Sequence, residues 1–345
     1  MRLLFLALTL WLSTNACHAA NATQEAEQGL HEEAAARIAA GQFERLLADA
    51  DRYLATQERL PDGRWKLALL LGGMRRGFER AVHVPEDWAR LDATLRALAA
   101  AHPDSQDAWL FVAVLVDSHA WATRGHGTAG DIKAMGFDAF RRYNEQGRAL
   151  LDEHPVRTNP AWYALRLRFG GALGEPQDEQ ERLFSEAIRR EPGYQQTWFS
   201  RLTYLEPQWG GRIEDVVALA DRAARTPSPT EGSGMMARVL FLAYDAGVED
   251  ALSNPAVHWD ALKASMHDVL QRYPDDWNAQ PFFFEACGRS DKAEAQRLLA
   301  YVKEPPIPQA LNDNVQAFQA CVDWARGKLP AFRLHDDAGG VQVVR

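Results

Sequence analysis

The stretch Asn159–Arg225 decides the fold class; it reads NPAWYALRLRFGGALGEPQDEQERLFSEAIRREPGYQQTWFSRLTYLEPQWGGRIEDVVALADRAAR. Pro155 precedes Trp162 by seven residues, and Pro192 precedes Trp198 by six. Behind each proline, apolar residues recur at the 3.6-residue period of an amphipathic helix. The stretch therefore predicts two helical hairpins in succession, each opened by a proline a few residues ahead of a tryptophan.

The rest of the chain has the same helical character. LFVAVLV at 110–116 contains enough β-branched residues for a strand, but Trp109, Val116 and Ala120 continue a helical stripe through it. About fourteen helices of ordinary length result, and helices joined by short loops pack antiparallel. The sequence therefore predicts an all-α protein, a right-handed solenoid of antiparallel helical hairpins.

The first residues indicate export. Residues 1–22 have the layout of a secretory signal peptide, with one positive charge, an apolar run and then small residues. Cleavage after Ala19 or after Ala22 fits the small-residue rule, and anchoring through Cys17 as a lipoprotein is a minor alternative. No later segment approaches the roughly 18 apolar residues of a membrane-spanning helix. The predicted location is periplasmic or secreted.

The mature chain is predicted to contain two helical regions and a tail. The first helical-repeat region covers residues 23–225. The second covers residues 226–330 and begins with the linker TPSP at 226–229. Residues 331–345 have no helical stripe and are predicted to be an irregular tail, either extended or disordered.

The charge balance excludes two classes of partner. The formal net charge is −9, and it becomes −10 when the leader is removed with Arg2. An acidic chain of this kind has no electrostatic footprint for nucleic acid or anionic lipid. We therefore expect a protein or peptide partner, no nucleic acid, and no membrane span in the mature chain.

Residues 274–307 resemble one tetratricopeptide unit of about 34 residues. Trp277 stands at the early aromatic position of that repeat, and Phe284 stands at the second. Gln280 and Pro281 depart from the leucine and glycine of the pattern, which suggests a bent or late-starting first helix. Further matches are Gly288 at the turn, Ala293 and Ala300 at the small packing positions, and Pro305 at the close; the unit from Trp162 matches through Leu165, Phe169, Phe184, Ala187 and Pro192. The predicted array is thus tetratricopeptide-like and degenerate.

Three patches resemble a bacterial family of the domain of unknown function 4034 type. They are LPDGRWKL at 60–67, AWATRGHG at 120–127 and EPQWGG at 206–211. Together they span most of the mature chain up to about Arg225. The family brings no established activity, so the resemblance supports the fold and adds nothing to the chemistry.

Cofactor and metal motifs are weak. GHGTAG at 125–130 matches G-x-G-x-x-G, but the dinucleotide fingerprint needs a strand before it, and a helix is predicted there. We therefore expect no cofactor. His119 and His126, with Asp117 and Asp131, form the densest His/Asp cluster, yet His119 and Asp117 lie about 200° apart on a helix and cannot chelate together. No metal site is predicted, and His126 stays a candidate ligand or acid-base group.

Two loops carry the candidate binding residues. The first is the glycine-rich loop Arg124–Gly130, and the second is the turn Trp209–Arg212, which the repeat pattern does not require. Glycines in that turn permit close approach of the backbone to a neighbouring helix or to a ligand. The candidate binding residues are Arg124, His126, Trp209, Gly210, Gly211 and Arg212.

Other aromatic residues and the cysteines each have two interpretations. Tryptophans at helix starts are predicted to be packing wedges, with aromatic anchors in a peptide groove as the alternative; they are Trp109, Trp162, Trp198 and Trp277. Cys287 and Cys321 remain after removal of the leader. They are either a disulfide, as an oxidising compartment allows, or two small buried apolar residues.

The repeat architecture and the lack of a catalytic constellation favour a non-catalytic interaction protein of the cell envelope. Its concave face would bind a peptide or a partner protein. One alternative is an envelope enzyme of hydrolase type, which uses the Arg124–Gly130 loop and the Trp209–Arg212 turn as one site and requires them to meet. Another is a self-assembling envelope component.

Overall fold

A computed structural model describes residues 21–125, 134–303, 305–331, 334–337 and 340–343. Within these ranges the chain is helical apart from a short hairpin near its end. The all-α class is thereby confirmed. Residues 1–20 of the predicted signal peptide lie outside the described part, and so do Cys17, His126 and Asp131. The predicted cleavage position after Ala19 lies there too, whereas the position after Ala22 lies among the described residues.

Sixteen α-helices follow one another in the described residues. They are α1 (Ala22–Ala39), α2 (Phe43–Thr56), α3 (Lys66–Ala81), α4 (Glu86–Ala101), α5 (Ala108–Arg124), α6 (Ala134–Glu153), α7 (Pro160–Leu173), α8 (Gln177–Arg190), α9 (Gln195–Thr203), α10 (Ile213–Ala224), α11 (Met235–Asp245), α12 (Asp250–Ser253), α13 (Trp259–Arg272), α14 (Asp276–Gly288), α15 (Lys292–Leu299) and α16 (Val315–Ala325). Short 3-10 turns lie at Pro207–Trp209 and Pro308–Leu311. None of the described helices combines the length and the apolar character needed to cross a bilayer.

Side-chain caps and burial explain why these segments are helical. Asn159 accepts the backbone N–H of Ala161 and so satisfies one free donor at the start of α7. Asp275 caps α14 in the same way. The β-branched run at 110–116 is buried throughout α5, because this helix has neighbours on several sides. Tertiary packing therefore overrides the strand propensity of the run.

In the first half of the chain the odd-numbered helices pack side by side: α1 contacts α3, α3 contacts α5, α5 contacts α7, and α7 contacts α9. Asn159 at the start of α7 donates to Asp107 at the start of α5, 2.8 Å away. Midway along the same two helices, Arg168 donates to Asp117 at 2.7 Å. The starts of the two helices contact each other, and so do their middles. α5 and α7 therefore run in the same direction. We call α1, α3, α5, α7 and α9 the parallel layer.

The buried apolar side chains form two clusters that share the middle helices. One cluster runs from Ala34 to Tyr194 and the other from Leu167 to Ala325, and both include residues of α7 and α8. Within the segment 226–229, Ser228 is buried, while Pro227 and Pro229 are exposed. The hydrophobic contacts therefore overlap in α7 and α8, whereas the sequence places the division at residue 226.

A loop near the amino terminus contacts much later parts of the chain. The indole N–H of Trp65 donates to the carbonyl of Gly193 at 2.9 Å. The Asn278 amide donates to the carbonyl of Asp62 at 3.1 Å. We call residues 59–65 the central loop. It joins the start of the parallel layer to helices from the second half of the chain.

The second half differs in detail from the repeat pattern. In the unit at 274–307, Ala293 and Ala300 are exposed, and Ala295 is the alanine that packs in the core. Cys287 in α14 and Cys321 in α16 form a disulfide with a Cα–Cα distance of 6.0 Å. Both sulfur-bearing residues are also fully buried.

The tail contains regular structure. β1 (Leu334–Asp337) pairs antiparallel with β2 (Gly340–Val343). The sequence predicts an irregular tail, because the segment is too short to show strand periodicity. Alternation of β-branched valine with a polar residue in β2 is compatible with a pleated strand.

Candidate functional site

A cleft opens on the parallel layer between α3, α5, α7 and α9. Its cavity measures about 100 Å³. Small side chains line much of it, because Ala68, Gly72, Ala161 and Ala164 occupy the facing positions of α3 and α7. A Cβ atom built on Gly72 would meet no other atom within 4 Å. The lining therefore leaves room beside the helix backbones.

Two arginines share one carboxylate in this cleft. Asp117 on α5 is almost fully buried, with 3% of its side chain exposed. Its oxygens accept from Arg168 Nε at 2.7 Å and from Arg75 Nη1 at 3.5 Å. The indole N–H of Trp121 also donates to Asp117, at 3.1 Å. The arginines and the carboxylate carry a net charge of +1, and burial together with the charge of Arg168 lowers the pKa of Arg75.

Aromatic rings continue the cleft beyond Asp117. The rings of Trp121 and Trp209 meet edge to face, with their centres 5.7 Å apart. The guanidinium carbon of Arg124 lies 5.4 Å from the Trp121 ring centre and 5.3 Å from that of Trp209. Arg124 and Trp209 come from the two loops that the sequence singles out. The structure therefore brings the described parts of those loops together.

Other predicted binding residues serve the turn itself. Gly210 has a φ of +88°, which favours glycine. A Cβ on Gly211 would lie 2.0 Å from the carbonyl oxygen of Leu205, so the close approach that Gly211 permits is to the backbone of Leu205 just before the turn. Arg212 is 71% exposed and lies 3.5 Å from Asp215. Gly210 and Gly211 thus allow the backbone of the turn to adopt its shape, and Arg212 is a solvent-exposed side chain of the turn. His126 lies outside the described residues.

Two buried tyrosine hydroxyls near the cleft have no hydrogen-bond partner among the described residues. Tyr194 lines the cleft and is only 1% exposed. The ring of Tyr204 packs where Gly171 has no side chain, since a Cβ there would lie 2.1 Å from the ring. Burial raises the pKa of Tyr194, and it raises the pKa of Tyr204 to about 12. Both hydroxyls therefore remain protonated donors near neutral pH.

His119 lies apart from the cleft. Its ring stacks on Trp88 with the centres 4.3 Å apart, and the ring of Tyr143 lies 3.9 Å away. Burial, with the nearby charge of Arg142, lowers the pKa of His119 to about 4. The imidazole is therefore neutral and serves as a packing group. Within the described ranges, no three His, Cys, Asp or Glu residues are grouped so as to hold a metal ion.

Sequence reasoning missed Arg75, Arg168, Tyr194 and Tyr204. A signal existed only for Asp117, because a carboxylate interrupts the apolar run of α5 and a buried charge needs a partner. The partners come from other helices, and no local spacing identifies them.

Comparison with protein-family models, with curated proteins and with solved structures finds no match for this chain. The resemblance to the domain of unknown function 4034 type therefore stays a prediction. The function has to be inferred from the geometry of the cleft.

Proposed function

We propose that this chain is a non-catalytic binding protein of the cell envelope, whose cleft receives a segment of a partner protein or peptide. The carrying observation is the lining of the cleft. Small residues such as Gly72 leave space for a main chain, while Arg75, Asp117 and Trp121 offer polar and aromatic contacts beside it. Pockets that combine apolar surface with a few oriented polar groups are typical ligand sites.

The finer architecture that we propose is the predicted right-handed solenoid of helical hairpins, tetratricopeptide-like in character. Packing of α1, α3, α5, α7 and α9 against one another in that order, with α5 and α7 running in the same direction, supports it, because stacked hairpins bring equivalent helices side by side. The cleft then lies on the face formed by the first helices of successive hairpins. Such faces are the extended binding surfaces of helical-repeat proteins.

The proposed location is the periplasm or the extracellular space. The disulfide between Cys287 and Cys321 supports it, because disulfides persist mainly in oxidising compartments. The signal-peptide layout of residues 1–22 gives independent support. A protein outside the cytoplasm would meet its partner there.

A selection from a random peptide library tests the proposal. Wild-type protein should enrich binders, and Gly72→Leu should reduce their affinity at least tenfold by filling the cleft. Gly29→Leu is the matched control, because Gly29 is also a helix-interior glycine with open space at its Cβ. Equal affinity of the Gly72→Leu and Gly29→Leu variants would refute this site, and a selection that enriches nothing would refute peptide binding.

A hydrolase is the second candidate function. The observation in its favour is the meeting of the two loops at Arg124 and Trp209. An enzyme at this place would need an acid-base group, and His126 is the sequence candidate for it. Turnover of a selected peptide that disappears in His126→Ala, while binding of the same peptide survives, would favour the enzyme. Binding without turnover favours the scaffold.

A further inference from the structure

We propose that the cleft recognises a carboxylate group of the bound peptide, held by Arg75 and Arg168. This inference rests on the proposed function and specifies the chemistry of its ligand. The two guanidinium groups share Asp117, and one positive charge is left over in a partly enclosed site. A monoanion would neutralise that charge.

Both arginines have donors to spare. Arg168 uses its Nε for Asp117, and no other side-chain hydrogen bond joins it to a described residue. Arg75 makes one long contact of 3.5 Å with Asp117 and exposes 36% of its side chain. The terminal nitrogens of a guanidinium form a planar fork that matches the two oxygens of a carboxylate. Asp117 therefore orients the arginines without saturating them.

The Tyr194 hydroxyl points to a ligand independently of the charges. It lines the same cavity, is 99% buried by area, and finds no partner in the described part of the chain. A buried hydroxyl without a partner is unfavourable by about 1–3 kcal/mol, so such groups are rare without a reason. Because Tyr194 stays protonated, it can donate to a polar group of the bound segment. It would do so at a different point of the cavity from the arginines, since the charge that acts on Tyr194 is that of Asp107 at the start of α5.

Size and charge favour a carboxylate over a phosphate. The cavity holds about 100 Å³, enough for a planar carboxyl group and a short length of chain. A phosphate group carries about −1.5 to −2 charges near pH 7 and would overcompensate the single net charge of Arg75, Arg168 and Asp117. The carboxylate can come from the free carboxyl terminus of a peptide or from an acidic side chain, which share this chemistry.

Three peptide pools of random sequence distinguish the sources. The first pool has free carboxyl termini and no acidic residue, the second is amidated and has none, and the third is amidated with one Glu per peptide. We expect the wild-type protein to bind the first or the third pool at least tenfold more tightly than the second. Preference for the first identifies a terminal carboxylate, and preference for the third identifies an acidic side chain.

Arginine variants test whether the preference for a carboxylate-bearing pool depends on the cleft. Arg75→Gln should reduce the ratio between the preferred pool and the neutral pool to below about threefold, and Arg75→Lys should restore part of it. Arg189→Gln is the matched control, because Arg189 is an exposed arginine of α8 that does not line the cleft. Circular dichroism of each variant checks that the helices are intact.

The outcomes separate the two proposals. If the wild-type protein binds all three pools equally, or if Arg75→Gln leaves the ratio unchanged, carboxylate recognition is wrong while peptide binding stands. If no pool binds, the proposed function fails as well. Stronger competition by inorganic phosphate than by acetate at equal ionic strength would also overturn the carboxylate assignment.

Discussion

Asp107 is a fully buried carboxylic acid at the start of α5. One of its oxygens accepts from the Asn159 amide at 2.8 Å, and the other has no partner among the described residues. Burial raises the pKa of Asp107 from its ordinary value of 3.8 to about 7, and the neighbouring charge of Asp51 adds to the effect. Near pH 5 the folded protein therefore keeps a proton that the unfolded chain releases.

Asp107 should make the protein less stable as the pH rises. Between pH 3.8 and about 7 the folded state binds more protons than the unfolded state at this site, so rising pH favours unfolding. Asp107→Asn removes the titration and should flatten the decline of Tm between pH 5 and pH 8 by at least about 2 °C. Asp104→Asn, an exposed position in the preceding turn, is the control. Parallel curves for wild type and Asp107→Asn would contradict the prediction.

At this scale, the sequence predicted apolar residues better than polar ones. Trp162 and Trp198 are buried wedges, and their indole N–H groups donate to the carbonyls of Leu151 and Pro192. Their spacing from the preceding prolines is a local pattern, so their role in packing could be predicted from the sequence. The environment of Arg75 depends on helices that lie far along the chain, and no pattern around residue 75 specifies them.

The contact between α1 and α3 depends on two glycines. A Cβ on Gly73 would lie 3.1 Å from the Cα of His31. A Cβ on Gly77 would lie 2.7 Å from Ile38 Cδ1 and 3.1 Å from the Cα of Ala35. The two helix backbones approach closely because these positions have no side chain. One face of α3 is therefore specified by small residues and not by large apolar ones.

Gly77→Leu should separate these helices. The larger side chain would have to displace the α1 backbone, and overpacking of this kind typically reduces the free energy of unfolding by about 1–3 kcal/mol. Urea denaturation measures the change. Gly72→Leu is the control within the same helix, because its Cβ has open space and leucine favours a helix over glycine. A Gly77→Leu protein as stable as Gly72→Leu would show that α1 does not depend on this contact.

The positions of the helices were easier to predict from the sequence than the face that each helix buries. The run at 110–116 is helical as its stripe indicates, and it lies in α5. In α15, however, Ala295 is buried while Ala293 and Ala300 are exposed, contrary to the repeat pattern. A helix follows from the period of its residues, but the face it buries depends on the neighbours that its loops allow.

Across the whole molecule, Glu231 joins the central loop to the second half of the chain. It is 1% exposed and accepts from Arg59 at 3.0 Å and from Arg238 at 2.8 Å. The Gln195 amide donates to it as well, at 2.7 Å. Each arginine of this group is largely buried. One carboxylate is therefore shared by two cations that are 179 residues apart in the sequence.

Glu231→Gln should weaken the connection between the two halves. Removal of one partner from a buried ion pair commonly costs about 3–5 kcal/mol, because the remaining charges stay buried without compensation. We expect a lower Tm and two calorimetric transitions where the wild type shows one. Glu214→Gln, at an exposed ion pair with Arg212, should leave the thermogram unchanged. A single unshifted transition in Glu231→Gln would contradict the prediction.

The central loop also constrains the order of folding. Trp65 can form its hydrogen bond only after Gly193 has been synthesised. The carbonyl of Asp62 can accept only after Asn278, 216 residues later, has been synthesised. Contacts with such large sequence separations form slowly, because the chain must lose loop entropy before any contact compensates for it. A chain that emerges from its amino terminus would therefore expose the indole of Trp65 and the donors of Arg59 until most of the protein had appeared. During synthesis or transport, that interval would give chaperones and proteases access to the first helices before the later ones arrive.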